Sequence, residues 1–390
     1  MAKGTVTRLA SAVLVTSSLI GAASATVLDL PVIIQRGYKM VEVGVGKPSQ
    51  NYRLLFDTGS ASTWIVDSEC ADTCSHIDKG SRTGYNISAS STGRLTGQDA
   101  EIGYVDGNRV AGPTVEELFS TDSLSFNASF IAANESNWSA LPAHGFMGLA
   151  FGSIADGGAA PIFESLMAEK LMDEPKFGIY YAKDEGDDTG GVAGKGLLTL
   201  GGSKEREYVD GDLATIQLTT GGVDYDVWRS VLHTTTGKKK ARNGTEIKTQ
   251  TDLSWSSVVF DTGASSISLP DNKIVEIYES IGMNWTAIIE GDHIPLCSEF
   301  TNDWSISFEV GFYGDTRTLT LTGDQLAIPG FANREDGCWP PFDTSGSSGF
   351  ALIGVRLLKN YYTVWDYGNF PKEGGFINPT LSFGKLKTGY

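Results

Sequence analysis

With 390 residues, 41% of them hydrophobic and 20% charged, the chain is long enough for two globular domains with sizeable cores. Its formal net charge of −17 repels phosphates and anionic headgroups, which excludes nucleic acid and anionic membrane surfaces as binding partners. Short runs rich in Val, Ile, Thr, Tyr and Phe are separated by clusters of Gly, Asp and Ser. This pattern predicts a mainly β protein with few helices.

Residues 1–25 have the pattern of a secretory signal peptide. Lys3 and Arg8 lead into the apolar stretch 9–20, and the small residues at 23–25 supply a cleavage site. The apolar stretch is too short to be read as a spanning helix, and no other segment approaches the length of one. We therefore expect a secreted, extracellular protein, with a vacuole or lysosome as the alternative destination.

Asn-X-Ser/Thr sequons agree with passage through the secretory pathway, where such sites accept glycans. Two of the six lie only three residues apart, so we do not expect both members of that pair to be modified. The candidate acceptors are Asn86, Asn127, Asn134, Asn137, Asn243 and Asn284.

One tetrapeptide, Phe-Asp-Thr-Gly, occurs twice, at 56–59 and again at 260–263. Apolar residues that favour strands precede both copies, and small residues follow them. The Thr-Gly pair predicts a tight turn in which Gly lets the backbone approach the preceding carboxylate closely. Two matched copies half a chain apart indicate two similar lobes, each contributing one acid, Asp57 and Asp261.

Two carboxyl groups held a few ångströms apart cannot both be ionised, because like charges repel strongly at that distance. They share one proton, so one acid acts as a base while the other donates. A water molecule held between Asp57 and Asp261 could then be activated for attack on a peptide carbonyl. We expect backbone N–H groups and the Thr or Ser hydroxyls nearby to donate hydrogen bonds to the charged oxygens.

Between the two copies, residues 100–112 predict a β-hairpin with its tip at Asp106-Gly107, a pair that favours tight turns. A helix is predicted over 161–170, which begins with Pro and has apolar residues at helical spacing. A second helix is predicted over 271–281.

These motifs resemble the pepsin-like aspartic proteases, whose two lobes each carry a hydrophobic-hydrophobic-Asp-Thr-Gly loop. The apolar segments 145–150 and 350–355 resemble those that pass under these loops in the family, and the likeness covers roughly 38–385. It implies a bilobal double β-barrel with a few short helices and an active-site cleft between the lobes. The expected parts are a short N-terminal segment, 26–37, an N-terminal catalytic lobe, 38–210, and a C-terminal catalytic lobe, 211–390.

The resemblance also implies roles for single residues around the two acids. Gly59 and Gly263 are expected to lie against the carboxyl groups, and Ser60 to donate a hydrogen bond to the first of them. The hairpin corresponds to the flap that closes over a bound peptide in this family. Its Tyr104 is therefore expected to cover the substrate, with Trp64 packed behind the flap.

Four cysteines allow three pairings from the sequence alone. The resemblance selects Cys70 with Cys74 and Cys297 with Cys338, one bridge in each lobe. A zinc site is the alternative, but the four histidines are scattered and match no ligand spacing, so we expect no metal.

We therefore expect an aspartic endopeptidase that binds extended polypeptides as an added strand and acts as a monomer without a cofactor. A non-catalytic relative of the same fold would usually have lost one acid or the flap pattern, and this chain keeps both. A phosphoaspartate enzyme would need a Lys directly after the Asp and a nucleotide-binding α/β domain, and the sequence predicts neither.

Two features depart from the common family pattern. Ala264 stands where many members carry Thr or Ser, so Asp261 lacks a hydroxyl that would favour its ionised form. We expect activity at higher pH than in an Ala264→Thr variant. In addition, only about a dozen residues separate the signal peptide from the first expected strand, and they are not rich in Lys. Family zymogens usually carry a longer basic pro-segment, so this enzyme is either made active or restrained by another device.

Overall fold

The computed structural model describes residues 26–74, 82–182, 192–241, 243–370 and 378–390. The expected signal peptide, 1–25, lies outside the described residues. Within them the structure is mainly β, as predicted, with two sheets and a few short helices.

The strands account for most of the regular structure. In the first half of the chain they are β1 (Leu28–Gln35), β2 (Tyr38–Val45), β3 (Gln50–Asp57), β4 (Trp64–Val66), β5 (Arg94–Gly103), β6 (Arg109–Ser120), β7 (Ser125–Ala133), β8 (Glu135–Ser136), β9 (Gly145–Gly148), β10 (Lys176–Tyr181) and β11 (Val192–Leu200). In the second half they are β12 (Ala214–Gln217), β13 (Arg229–Lys240), β14 (Glu246–Phe260), β15 (Ile267–Leu269), β16 (Trp304–Phe312), β17 (Asp315–Thr322), β18 (Asp343–Thr344), β19 (Phe350–Ile353), β20 (Tyr361–Asp366) and β21 (Thr380–Lys385).

The helices are short and lie between strands. The α-helices are α1 (Ser68–Thr73), α2 (Ile162–Ala168), α3 (Glu205–Tyr208), α4 (Ile274–Ile281), α5 (Trp285–Ile289) and α6 (Val355–Leu358). Single 3₁₀ turns occupy Ile87–Ala89, Gly152–Ile154, Cys297–Glu299, Gly323–Leu326 and Phe331–Asn333. Both predicted helices are present, as α2 and α4. Helix α4 buries residues spaced three and four apart and ends at Gly282, whose φ of 90° suits a left-handed cap.

The larger sheet runs in the order β12-β21-β20-β10-β11-β1-β2-β3-β9-β4-β7-β6-β5, with β8 paired to β6. The smaller sheet has the order β17-β16-β13-β14-β19-β15-β18. Three strands from the second half, β12, β20 and β21, therefore complete the sheet of the first half. The lobe boundary near 210 stays a prediction, and the two halves share hydrogen-bonded strands beyond it.

The first strand starts earlier than the predicted lobe. The segment 26–37, expected as a short N-terminal segment, contains β1, which pairs with both β11 and β2. Its apolar residues are buried in the main core. Residues 28–35 are therefore an integral strand of the large sheet, because their alternating apolar side chains need a covered face.

Aromatic side chains from both halves pack together beneath the two Asp-Thr-Gly loops. The indole of Trp228 lies 5.0 Å from the ring of Phe151 and 5.2 Å from that of Tyr367. Its Nε1 donates to the carbonyl of Leu149 at 2.8 Å, and the Tyr367 hydroxyl donates to the same oxygen at 3.0 Å. Since the Leu149 N–H donates to the Asp57 carbonyl at 2.7 Å, this cluster fixes the backbone of the first loop.

Candidate active site

The two Asp-Thr-Gly loops follow strands of matching arrangement. Strand β3 ends in Asp57 and pairs in parallel with β9, while β14 ends at Phe260, directly before Asp261, and pairs in parallel with β19. In each half, a strand from later in the chain therefore supports the acid-bearing strand. Because buried parallel neighbours restrain both sides of the backbone, each loop leaves its sheet at a defined position.

The loops interlock through their threonines. The Thr58 N–H donates to the Thr262 hydroxyl at 3.0 Å, and the Thr262 N–H donates to the Thr58 hydroxyl at 3.0 Å. Each hydroxyl then donates across the interface, from Thr58 to the Phe260 carbonyl at 3.0 Å and from Thr262 to the Phe56 carbonyl at 2.7 Å. Both threonine side chains are buried, so these four hydrogen bonds fix the position of one loop relative to the other.

Thr or Ser hydroxyls near the acids were expected to donate to the carboxylates, and Ser60 does so. The hydroxyls of Thr58 and Thr262 instead donate to the backbone of the opposite loop. Their repeated position in the motif was visible in the sequence, but their partners lie about two hundred residues away, at a separation of 204 for the amide-to-hydroxyl pair. Only the juxtaposition of the two halves reveals this role.

The two carboxyl groups contact each other and receive different donors. Asp57 is buried and accepts from the Ser60 hydroxyl at 2.5 Å and from the Gly59 N–H at 2.8 Å. Asp261 accepts from the Gly263 N–H at 2.7 Å and, more weakly, from the Ala264 N–H at 3.3 Å. Asp57 therefore has a hydroxyl donor in Ser60. At the equivalent position of the second loop, Ala264 has only a methyl side chain, and its N–H forms a long hydrogen bond to Asp261.

The pKa of Asp261 is raised well above its ordinary value. Burial is the largest cause, followed by the charge of Asp57 and a hydrogen bond between the two carboxyl groups. The N–H groups of Gly263 and Ala264 oppose the shift only in part. The proton that the pair shares is therefore favoured on Asp261, while Asp57 is the acid that accepts from a hydroxyl donor.

The glycine of each loop lies against the acid of the other loop. A Cβ added to Gly59 would lie 2.5 Å from Oδ2 of Asp261, and one added to Gly263 would lie 2.6 Å from Oδ1 of Asp57. Any larger residue would push the opposite carboxyl group away. This crossing arrangement explains why the motif needs glycine at both positions.

The hairpin formed by β5 and β6 brings Tyr104 to the first loop. Its hydroxyl accepts a hydrogen bond from the Trp64 indole Nε1 at 2.7 Å and also contacts Ser60. Its ring lies 5.4 Å from the rings of Trp138 and Phe146. Burial and the charge of Asp57 raise the pKa of Tyr104 well above its ordinary value, so the hydroxyl stays protonated.

The remaining predicted residues do not contact the two acids. Cys70 is bonded to Cys74 and Cys297 to Cys338, the pairings that the resemblance implies. The asparagines of all six sequons are exposed: Asn86, Asn127, Asn134, Asn137, Asn243 and Asn284. Within the described ranges, no helix has the length and apolar character of a membrane span.

Comparison with known proteins identifies the family. Residues 38–371 match the family described as eukaryotic aspartyl protease. The chain is 26% identical to Pepsin A of Suncus murinus over 339 residues, which covers 84% of this chain and 78% of that protein. It is 27% identical to Renin-2 of Mus musculus over 343 residues, with 84% and 77% of the two chains covered.

The chain belongs to the eukaryotic aspartyl protease family. It is an aspartic endopeptidase, a hydrolase that acts on peptide bonds of polypeptides. The predicted family, fold class and activity are confirmed.

Proposed function

We propose that Asp57 and Asp261 are the catalytic pair of this endopeptidase and that they act on one shared water molecule. The observation that carries the proposal is the contact between two acids with unequal donors, one of which has a strongly raised pKa. A pair that shares one proton at mildly acidic pH supplies a base and an acid together.

In this proposal each acid has a separate task. Asp57, charged and supported by Ser60, draws a proton from the water as its oxygen attacks the scissile carbonyl carbon. Asp261 donates its proton to the carbonyl oxygen, which gives a neutral tetrahedral intermediate. When that intermediate collapses, Asp57 gives the proton it took from the water to the leaving nitrogen and the C–N bond breaks. One hydroxyl of the intermediate returns its proton to Asp261, which restores the starting pair. Both acids come from one chain, which supports action as a monomer.

The flap supplies the substrate contacts. With Tyr104 held over the first loop, an extended peptide entering between the flap and the acids can add to the exposed backbone of the hairpin. Main-chain hydrogen bonds then contribute affinity, and side-chain pockets select the sequence. Gly59 and Gly263 leave room for the peptide backbone to reach the carboxyl groups.

Entry into the secretory pathway is part of the same proposal, with release outside the cell as the destination and a vacuole or lysosome as the alternative. Three observations support it: the pattern of residues 1–25, the exposed sequon asparagines and the two disulfides, which suit an oxidising compartment.

Digestion of a denatured protein between pH 3 and pH 6 tests the catalytic pair. We expect Asp57→Asn and Asp261→Asn each to lower kcat by about 10²- to 10⁴-fold, because either change removes a proton donor or acceptor. Asp122→Asn, at an exposed position, is the matched control and should retain full activity. Undiminished cleavage by either active-site variant would refute the assignment.

A further inference from the structure

The flap tip projects beyond the last strand pairing that anchors it. Strand β6 pairs with β8 through Val110 and Ser136, and the pairing ends where the Asn137 N–H donates to the Arg109 carbonyl at 3.3 Å. Residues 104–108 then form the turn, which has its own internal bonds. Val105, at the tip, is 92% exposed. Beyond the ring of Tyr104, residues 105–107 are exposed, so the tip gains little further support from packing.

The side chain of Asn137 reaches from the end of β8 to both sides of this turn. Its Oδ1 accepts from the Arg109 N–H at 2.6 Å, and its Nδ2 donates to the Gly107 carbonyl at 3.3 Å. One end of the amide thus meets a donor and the other an acceptor, so the amide orientation is determined. Neither an acid nor an aliphatic residue could make both bonds.

The ion pairs at the flap base are weak restraints. Arg109 forms ion pairs with Glu101 at 3.1 Å and Glu135 at 3.7 Å, but all three side chains are more than half exposed. Exposed ion pairs of this kind contribute little, because solvent screens the charges. The turn is therefore restrained at one end by the hydrogen bond and ring packing of Tyr104 and at the other by the amide bonds of Asn137.

We infer that Asn137 is a positioning residue that holds the flap tip in its closed orientation over the catalytic pair, and the inference rests on the proposed function of Tyr104. Loss of the Nδ2 bond lets the tip leave that orientation more often. Substrate must then bind the smaller closed fraction, which raises KM while the chemical step within the closed complex keeps its kcat.

The same asparagine begins the sequon Asn137-Trp138-Ser139, so the test must separate the side-chain bonds from a glycan. Ser139→Ala removes the sequon and leaves the Asn137 amide intact, at an exposed position. Asn137→Asp also removes the sequon and keeps an acceptor for the Arg109 N–H, but it places a carboxylate against the Gly107 carbonyl. Both variants lack the sequon, and only Asn137→Asp changes the side chain that contacts Gly107, while adding a charge beside the exposed Arg109.

Peptide kinetics and hydrogen exchange of the two variants test the inference. We expect Asn137→Asp to have a KM about three- to tenfold above that of Ser139→Ala, as one lost hydrogen bond allows, with kcat within about twofold. Backbone amides at 103–108 should exchange faster by a similar factor, while the thermal midpoints agree. Equal KM values, or equal exchange at the tip, would overturn the inference.

The exchange measurement also separates this inference from the catalytic assignment. Exchange reports the flap tip whether or not the protein cleaves peptides, so it can be repeated in an Asp57→Asn background. Activity that survives Asp57→Asn would count against the catalytic pair. Unchanged hydrogen exchange at the flap tip in Asn137→Asp would count against the positioning role of Asn137.

Discussion

The two Asp-Thr-Gly loops have almost the same backbone and different chemistry. Both follow a strand supported by a parallel neighbour, and both exchange threonine bonds with the opposite loop. They differ at the third position after the acid, where Ser60 donates to Asp57 and Ala264 offers only a long N–H bond to Asp261. Burial and the charge of Asp57 raise the pKa of Asp261, and the absence of a hydroxyl donor beside it adds to the difference within a nearly symmetric pair.

Some contacts of the two loops must match in both halves, whereas the surroundings of the two acids must differ. The threonine interlock and the crossing glycines set the distance between the acids, and they require a matching partner from each half. The donors to the carboxylates add to the inequality that burial creates between the acids, and a useful acid–base pair needs them to differ. Each rule can be tested by a substitution that breaks it.

Removal of either threonine hydroxyl should have the largest effect. We expect Thr58→Val and Thr262→Val each to lower the free energy of unfolding by roughly 2–4 kcal/mol, because a buried N–H and a buried carbonyl lose their partner. Activity should fall by about 10²-fold as the acids shift. Denaturant unfolding and cleavage rates measure both effects, and Thr58→Ser should restore most of each.

A variant that lacks both threonine hydroxyls tests whether the two loops act as one unit. The two threonines share one network, so Thr58→Val combined with Thr262→Val should cost clearly less than the sum of the single changes. Strictly additive costs would show that the bonds act independently and that the interlock is not a unit.

Restoring a hydroxyl beside Asp261 should have a smaller effect, visible in the pH profile. In Ala264→Thr we expect the alkaline limb of activity to move to lower pH by about one unit, because a donor to the ionised form lowers the raised pKa of Asp261. Ala264→Val, with the same shape and no hydroxyl, is the control. Identical profiles for wild type and Ala264→Thr would contradict this explanation.

The smallest effect concerns stability. The folded-state pKa of Asp261 lies above its unfolded value, so its contribution to stability is full below pH 4 and is lost as pH rises through the folded pKa. An asparagine at this position does not titrate, so its contribution to stability does not change with pH. Asp261→Asn should therefore raise Tm relative to wild type by roughly 2–4 °C at pH 7, with little difference at pH 3. A difference that is the same at both pH values would argue against the raised pKa.

Much of the fold and the chemistry could be predicted from local sequence. The duplicated tetrapeptide predicted both acids, alternation predicted the strands, and Asp106-Gly107 predicted the tip of the flap hairpin. These succeeded because strand patterns, tight turns and acid motifs are properties of neighbouring residues.

What local sequence could not supply is pairing over long distances. The exchange of bonds between Thr58 and Thr262, the entry of β20 and β21 into the first sheet and the reach of Asn137 to Gly107 all join distant segments. The place of β1 in the core is a further example, because its partner β11 begins near residue 192.

The threonine interlock has a consequence for how the active molecule forms. Its amide-to-hydroxyl contact closes a loop of 204 residues, and contacts of such high order are entropically expensive and slow to form. Strands β12, β20 and β21 of the second half also complete the first sheet, so neither half is whole without the other. The two acids therefore meet only once segments from both halves have come together.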